Sequence, residues 1–265
     1  MINSLICGLP RSGTSFLYKI SIVDTSVLYL NETNTCVGME ELEALASQKN
    51  SSEAELILKS ENVLKVKDWI LKNDKKGGVF WKQPSFFPRE EFLSKSWTQR
   101  PLNLLVPIRS PRDILVSFQR RADDFGDKWD HRFDAGFGAQ RIKEFMSWLV
   151  DLFSYILVSR PNLKLHLIGY DFIKNDSSFC SSYSKILGLE NSNDIHHRYE
   201  KYEKKFQKKT LYNSDKQITL SSESIEKIEA AMNLVNDQKE MAVILKGLSG
   251  FDYFSKESIR NLYSF

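Results

Sequence analysis

The feature that most constrains the fold lies at the N-terminus, where an apolar run, a glycine-bearing loop and a helical pattern follow one another. Residues 2–7 are largely apolar and end at Gly8, which is typical of a buried parallel strand. From Ser15 to Ile22 the apolar residues recur at helical spacing. Gly8 and Gly13 bracket the intervening loop in the G-x-x-x-x-G frame of a phosphate-binding loop. The sequence therefore predicts a strand, an anion-binding loop and a helix in that order.

The residues of this loop have the chemistry of an anion site. Glycine lets backbone N–H groups converge on an anion, and the N-terminus of the following helix adds about half a positive charge. Ser12, Thr14 and Ser15 add hydroxyl donors, and Arg11 adds a cation. A triphosphate-binding loop has Lys after its second glycine, followed by a Ser or Thr that binds Mg²⁺. Thr14 stands at the Lys position, so the loop favours an anionic donor that needs no metal.

Apolar segments and helical patterns alternate along the rest of the chain. Further strands are predicted at residues 27–30, 79–81, 102–108 and 163–170. Helical spacing predicts helices at 52–71, 111–121 and 140–157, whereas the Asp-, Arg- and Gly-rich segment 120–138 is predicted to be a long loop, and the charged stretch 196–209 an exposed helix or a mobile flap. Such alternation predicts an α/β fold with a mostly parallel sheet of about five strands flanked by helices, in the three-layer arrangement of P-loop NTPases. The length of 265 residues suits a single domain over 1–265.

Composition excludes several classes of function. The formal net charge is only +3, which is too small to indicate a nucleic-acid-binding protein. The three cysteines lie far apart in the sequence, so neither a disulfide framework nor a metal site is expected, and reduced thiols favour a cytoplasmic location. We see no basic-then-apolar leader and no run of roughly 18–20 apolar residues, so neither a signal peptide nor a membrane span is predicted.

The loop also matches a family motif. It resembles the P-[KR]-[ST]-G-T-[ST] loop that binds the 5′-phosphosulfate in the sulfotransferases that use 3′-phosphoadenosine 5′-phosphosulfate (PAPS). The resemblance implies that PAPS is the donor, that the 3′,5′-bisphosphate PAP is the product, and that no metal is required. It implies that the donor is bound by Pro10, Arg11, Ser12, Gly13, Thr14 and Ser15.

Two later segments resemble the same family. Residues 108–117 are similar to its 3′-phosphate motif, in which a strand ends in Arg and the next helix carries a Ser; this implies that Arg109 and Ser117 bind the 3′-phosphate. An Arg at a strand end can make forked, charge-assisted bonds to phosphate, although a surface ion pair beside a capped helix is the alternative. Residues 167–172 are similar to the family's late strand, which implies that Tyr170 lies against the adenine; packing in the core is the alternative.

Sulfonate transfer needs a base for the acceptor proton and cations beside the transferred group. Lys82 lies in a segment that resembles the family's catalytic lysine segment, so Lys82, together with Arg11, is expected to stabilise the developing charge; a solvated loop lysine is the alternative. Gln83 and Pro84 follow Lys82, so the histidine of that segment is absent. Carbohydrate-type and bacterial members place a Glu after the second strand, where Glu32 stands. The other candidate bases are Glu40, Glu41 and His131.

The C-terminal region departs from the family pattern. The R-K-G-x-x-G segment of the cytosolic members has only a faint echo at 246–250, and Arg120, Arg121 or the lysines of 204–209 are its candidate substitutes. The chain therefore resembles the bacterial and carbohydrate-type members more closely. The acceptor is left open among small molecules, carbohydrates and lipids, and so is the oligomeric state. Two other functions remain alternatives: a P-loop phosphotransferase acting on a small molecule, and a non-catalytic nucleotide-binding protein.

Overall fold

The computed structural model describes residues 3–24, 26–31, 56–57, 78–84, 87–88, 102–125, 134–157, 163–170, 173, 178–215 and 221–235. In chain order they form β1 (Asn3–Gly8), α1 (Thr14–Ser21), β2 (Leu28–Asn31), β3 (Leu56–Ile57), β4 (Val79–Pro84), β5 (Leu102–Ile108), α2 (Pro111–Phe125), α3 (Ala135–Leu157), β6 (Leu163–Gly169), α4 (Phe179–Leu187), α5 (Asn193–Asp215) and α6 (Ser222–Val235).

The strands form one sheet in the order β3-β2-β4-β1-β5-β6. The pairs of β1 with β4 and β5, and of β2 with β3 and β4, are parallel. β1 and β5 are buried along their whole length, as is typical of parallel strands covered on both faces. The predicted α/β class, with a mostly parallel sheet and flanking helices, is confirmed, and the sheet has six strands where about five were predicted.

The chain divides into two compact units. The first contains Met1–Gly8, Gly13–Pro107 and Arg160–Lys208, and the second contains Leu9–Ser12, Ile108–Ser159 and Lys209–Phe265. The sheet, α1 and α4 belong to the first unit, and α2, α3 and α6 belong to the second. The single domain over 1–265 stays a prediction.

The core of the first unit is rich in aromatic residues. Tyr18 of α1, Tyr29 of β2 and Phe80 of β4 are each at most 1% exposed, and their ring centroids lie 5.9–6.4 Å apart. The Tyr29 hydroxyl also ends α1: it donates to the carbonyl of Ser21 at 2.9 Å and accepts from the backbone N–H of Val23 at 3.2 Å. These contacts fix α1 against the sheet and so fix where the loop before α1 ends.

Hydrogen bonds connect the three helices of the second unit. Gln119 of α2 donates to Asp123 at 2.8 Å and accepts from the backbone N–H of Ala135, the first residue of α3, at 3.3 Å. Ser224 of α6 donates to the other carboxylate oxygen of Asp123 at 2.9 Å. A Cβ on Gly138 of α3 would lie 2.9 Å from the ring of Phe118, so any larger residue would be overpacked where α3 crosses α2.

Two of the predicted segments were wrong. The loop predicted at 120–138 is in part helical, because α2 continues to Phe125 and α3 begins at Ala135. The missed signal was Asp134, whose carboxylate accepts from the backbone N–H of Phe137 at 3.0 Å and caps α3. The helix predicted at 52–71 is wrong at Leu56–Ile57, which pairs with β2 as an edge strand; the rest of that range lies outside the described residues. The charged stretch 196–209 is helical, as part of α5.

Candidate functional site

The loop after β1 has an unusual backbone. The φ angles of Gly8, Arg11 and Gly13 are 115°, 69° and 109°. Glycine adopts positive φ without steric cost, whereas a residue with a Cβ does so at roughly 1–2 kcal/mol. Within the described ranges, Arg11 is the one residue other than glycine that has a positive φ. Such an angle persists only where surrounding contacts hold it.

Contacts within the second unit hold Arg11 in place. Arg109 donates from Nη1 to the backbone carbonyl of Arg11 at 3.2 Å, and Arg11 donates from Nε to the hydroxyl of Ser117 at 2.8 Å. The buried hydroxyl of Ser12 donates to the carbonyl of Leu9 at 2.6 Å and closes the turn. The backbone and the side chain of Arg11 are therefore each fixed by a residue of the predicted 3′-phosphate motif.

The charges of this cluster suit a phosphate. Arg109 follows β5, and Ser117 lies on α2, which begins at Pro111. Arg109 also faces Asp113, with Nε 3.7 Å from a carboxylate oxygen. The Asp113 side chain is 52% exposed, so this pair contributes less than about 1 kcal/mol and competes weakly with an anion. Two guanidinium groups and a hydroxyl can bind a phosphate dianion through charge-assisted hydrogen bonds.

The start of α1 offers a second set of donors, within the first unit. The carbonyl of Gly13 accepts from the backbone N–H groups of Phe16 at 3.0 Å and Leu17 at 3.1 Å, so the helix begins at this residue. Gly13 is the N-cap and has no side chain with which to accept from the first N–H groups. An anion bound there would accept from the N–H groups of Thr14 and Ser15 and would gain from the helix dipole.

Tyr170 contacts this same glycine. It directly follows β6, and its ring approaches Gly13 so closely that a Cβ on Gly13 would lie 2.8 Å from Cδ2. The sequence predicted Tyr170 at the adenine, with core packing as the alternative. The ring is partly buried, packs against the core of the first unit and touches the loop. The adenine role stays a prediction.

Lys82 is buried, contrary to the alternative of a solvated loop lysine. It lies in β4, pairs with Ile6 of β1 and Asn31 of β2, and is only 3% exposed. Its ammonium group lies 5.9 Å from the ring centroid of Tyr18. Side chains alternate along a strand, so Lys82 shares the face of Phe80, which packs against the same tyrosine. A buried ammonium needs compensating partners, and the face of an aromatic ring is one.

Sequence reasoning did not identify Tyr18. It falls within the predicted helix, and no motif marks it. Its apolar neighbours indicated a buried helix face, but only the tertiary structure pairs it with a lysine.

The candidate bases lie outside the described residues, namely Glu32, Glu40, Glu41 and His131. Glu32 directly follows Asn31, whose backbone pairs with Lys82. As for the candidate substitutes for the C-terminal segment, Arg120 is exposed on α2, and Arg121 follows it in the same helix.

His166 of β6 faces Asn103 of β5. The amide nitrogen of Asn103 donates to the carbonyl of Ile186 at 2.6 Å, so its amide oxygen faces His166 Nε2 at 3.3 Å. Because that oxygen only accepts, Nε2 carries the proton. Burial, and secondarily the charge of Lys164, lower the pKa of His166 to about 4. His166 is therefore a neutral packing residue at neutral pH.

Within the described ranges, no three or more His, Cys, Asp or Glu side chains cluster as metal ligands. None of the helices there is long and apolar enough to cross a membrane.

No family model and no curated protein matches this chain. Its fold is similar to a sulfotransferase domain from the curacin biosynthetic pathway, with a TM-score of 0.46 and 18% identity, covering 75% of this chain and 78% of that one. It is also similar to a sulfotransferase domain from the Synechococcus PCC 7002 olefin synthase, with a TM-score of 0.47 and 12% identity, covering 74% and 76%.

Proposed function

We propose that this chain is a sulfotransferase that moves a sulfonate group from PAPS to a hydroxyl or amine acceptor by in-line displacement. The observation that carries the proposal is the cluster of Arg11, Arg109 and Ser117. Arg109 lies 98 positions and Ser117 lies 106 positions after Arg11 in the sequence, yet both form hydrogen bonds with it. The cation of the loop is therefore in contact with the two residues of the second motif that were predicted to bind phosphate. A loop that only turned a strand into a helix would not need these contacts.

The loop favours this donor over a nucleoside triphosphate. Thr14 stands where a triphosphate-binding loop has the lysine that reaches the β- and γ-phosphates. The cation of this loop is Arg11 instead, and its guanidinium is held by Ser117. The phosphotransferase alternative would need both the missing lysine and an acidic group for Mg²⁺.

Each residue has a proposed role in binding. Arg109 and Ser117 bind the 3′-phosphate, as the resemblance implies, and the carbonyl contact of Arg109 keeps Arg11 in its strained conformation. The loop from Pro10 to Ser15 binds the 5′-phosphosulfate through backbone N–H groups, hydroxyls and Arg11. Tyr170 contacts the adenine.

The reaction follows from these roles. The acceptor oxygen or nitrogen forms a bond to sulfur while the bond from sulfur to the bridging phosphate oxygen breaks, which releases PAP. Glu32 takes the acceptor proton, and Lys82 and Arg11 stabilise the negative charge that develops on the leaving phosphate. Burial strengthens the effect of Lys82, because a charge acts more strongly where water is excluded.

Calorimetric titration of PAP without Mg²⁺ tests the donor. We expect micromolar binding to the native chain and a loss of about 10- to 100-fold in Arg109→Ala, since a charge-assisted hydrogen bond is worth about 1.5–3 kcal/mol. Arg112→Ala is the matched control, because it removes the same charge from an exposed side chain three residues further on. Binding of ATP–Mg²⁺ in place of PAP would favour a phosphotransferase.

Transfer of radiolabelled sulfonate tests the reaction. An acceptor screen with the native chain should give turnover that Glu32→Gln and Lys82→Met lose while both variants still bind PAP. Tight PAP binding with no turnover on any acceptor would favour the non-catalytic nucleotide-binding protein.

A further inference from the structure

Gly13 is restricted by two independent features. Its φ of 109° is unfavourable for any residue with a side chain. In addition, a Cβ at this position would lie 2.8 Å from Cδ2 and 3.2 Å from Cε2 of Tyr170. The first restriction is a property of the loop backbone alone. The second comes from one edge of an aromatic ring that lies directly against the glycine.

The orientation of Gly13 decides where the start of α1 points. Its carbonyl accepts from both Phe16 and Leu17, so a rotation of this residue would break the first hydrogen bonds of the helix. The same rotation would turn the N–H groups of Thr14 and Ser15, which have no acceptor within the helix. The contact that restrains Gly13 therefore also sets the direction in which the N–H groups of Thr14 and Ser15 point.

Tyr170 is anchored well enough to hold it. It follows β6 without an intervening residue, and its ring packs against the buried core of the first unit. That core includes Phe16 and Phe179, and the ring of Tyr199 contacts both at centroid distances of 5.5 and 6.0 Å. A ring placed on a rigid strand end and supported by core side chains can restrain a glycine that has no side chain of its own.

We propose that Tyr170 is a positioning residue of the phosphate-binding loop: the edge of its ring holds Gly13 and so aims the first N–H groups of α1 at the anion. This role is additional to the adenine contact that the resemblance implies, and it needs the ring rather than the hydroxyl. It rests on the proposed function only for the identity of the anion.

Amide hydrogen exchange tests the role without any ligand. The reporters are the amides of Phe16 and Leu17, because both donate to Gly13. We expect Tyr170→Ala to speed their exchange at least tenfold and Tyr170→Phe to leave it within about twofold. Tyr202→Ala is the matched control, since Tyr202 is a partly buried tyrosine that packs against the same core.

Exchange of the β1 amides distinguishes global destabilisation from a local effect on the loop, because β1 lies in the middle of the sheet. If these exchange faster as well, Tyr170→Leu replaces the alanine variant, because it keeps apolar bulk and lacks the planar edge; a selective increase at Phe16 and Leu17 is still expected. Unchanged exchange at these two amides in a folded Tyr170→Ala or Tyr170→Leu variant overturns the proposal.

Binding of inorganic pyrophosphate distinguishes loop positioning from adenine stacking, because pyrophosphate contains no adenine. If Tyr170 positions the loop, Tyr170→Ala weakens pyrophosphate binding by a factor of about ten and PAP binding by at least that factor, and Tyr170→Phe restores both. A loss confined to PAP would mean that the ring contacts only the adenine and would overturn the proposal. A native chain that binds pyrophosphate but not PAP would count against the sulfotransferase function, while the exchange experiment would still decide the role of Tyr170.

Discussion

The contacts at Arg11 and at Gly13 differ in how they hold one loop. At Gly13 the restraint is steric, because a ring edge meets a residue without a Cβ. At Arg11 it is polar, because hydrogen bonds from Arg109 and to Ser117 hold a residue whose φ would suit glycine better. Position 13 is a glycine because the ring of Tyr170 leaves no room for a Cβ. Position 11 is an arginine, in spite of its positive φ, because the loop needs a cation there. Strain at Arg11 is thus explained by its charge, since glycine would relieve the strain and remove the cation.

The largest expected effect on activity is at Lys82, which lies outside the loop that contains Arg11 and Gly13. Lys82→Met should lower kcat by about 100- to 1000-fold, the usual cost of removing a charge that stabilises a transition state. The free energy of unfolding should stay the same or rise, because a buried charge is replaced by an apolar chain of similar length. Steady-state kinetics beside chemical denaturation checks both. A variant that keeps its kcat would remove Lys82 from the chemistry.

Gly13→Ala would test the steric side of the comparison. It should lower the free energy of unfolding by about 3 kcal/mol, of which roughly 1–2 kcal/mol is backbone strain and the rest overpacking against Tyr170. In the Tyr170→Ala background the overpacking part should vanish, so the two substitutions should be clearly non-additive. Urea denaturation of the double-mutant cycle measures this coupling. Additive effects would show that the ring edge is not what excludes a side chain at Gly13.

The stability of the sheet should depend on pH through His166, independently of the loop. Burial lowers the folded-state pKa of His166 to about 4 from an ordinary value of 6.5, so the folded state favours the neutral ring. The resulting stability, about 3 kcal/mol, is fully present above pH 6.5 and is lost as the pH falls from 6.5 through 4. Denaturation at several pH values should show a shallower dependence in His166→Gln. An unchanged slope would mean that other groups cause it.

Arg11→Gly would test the polar side. It should weaken PAP binding about tenfold, since one charge-assisted contact is lost. The free energy of unfolding should change by less than about 1 kcal/mol, because relief of the positive φ offsets the lost hydrogen bond to Ser117. Calorimetry and urea denaturation measure the two quantities separately. A large loss of stability would show that the arginine is retained for folding rather than for its charge.

The smallest expected effect is at Gly138. Gly138→Ala gains helix propensity but places a Cβ 2.9 Å from the ring of Phe118, so a net loss of about 1 kcal/mol is expected. Phe118 lies on α2 beside Ser117, so a shift of this helix should also weaken PAP binding, but by no more than a few fold. Thermal denaturation with calorimetry checks this. A loss in binding as large as that of Arg11→Gly would show that helix packing, rather than the local polar contacts, sets the position of Ser117.

The features that were predictable from the sequence are local in the chain. The G-x-x-x-x-G frame, the strand before it and the helix after it lie within about twenty residues, and the structure has β1, the loop and α1 in that order. Asp134 was also readable as a cap but was missed, because the surrounding Gly- and Asp-rich composition favoured a loop. The strand at Leu56–Ile57 was not readable, because two residues carry no periodicity and their extended conformation depends on pairing with β2.

The sequence by itself determined the order of strand, loop and helix, the positions of the glycines and the cation, and the α/β class, because each depends on neighbouring residues and on the alternation of apolar segments. Only the tertiary structure decided that Arg109 and Ser117 contact Arg11, that Tyr170 contacts Gly13 and that Lys82 is buried beside Tyr18. Those contacts join residues far apart in the sequence. They follow from the order of strands in the sheet and from the packing of helices, for which a single sequence contains no local signal.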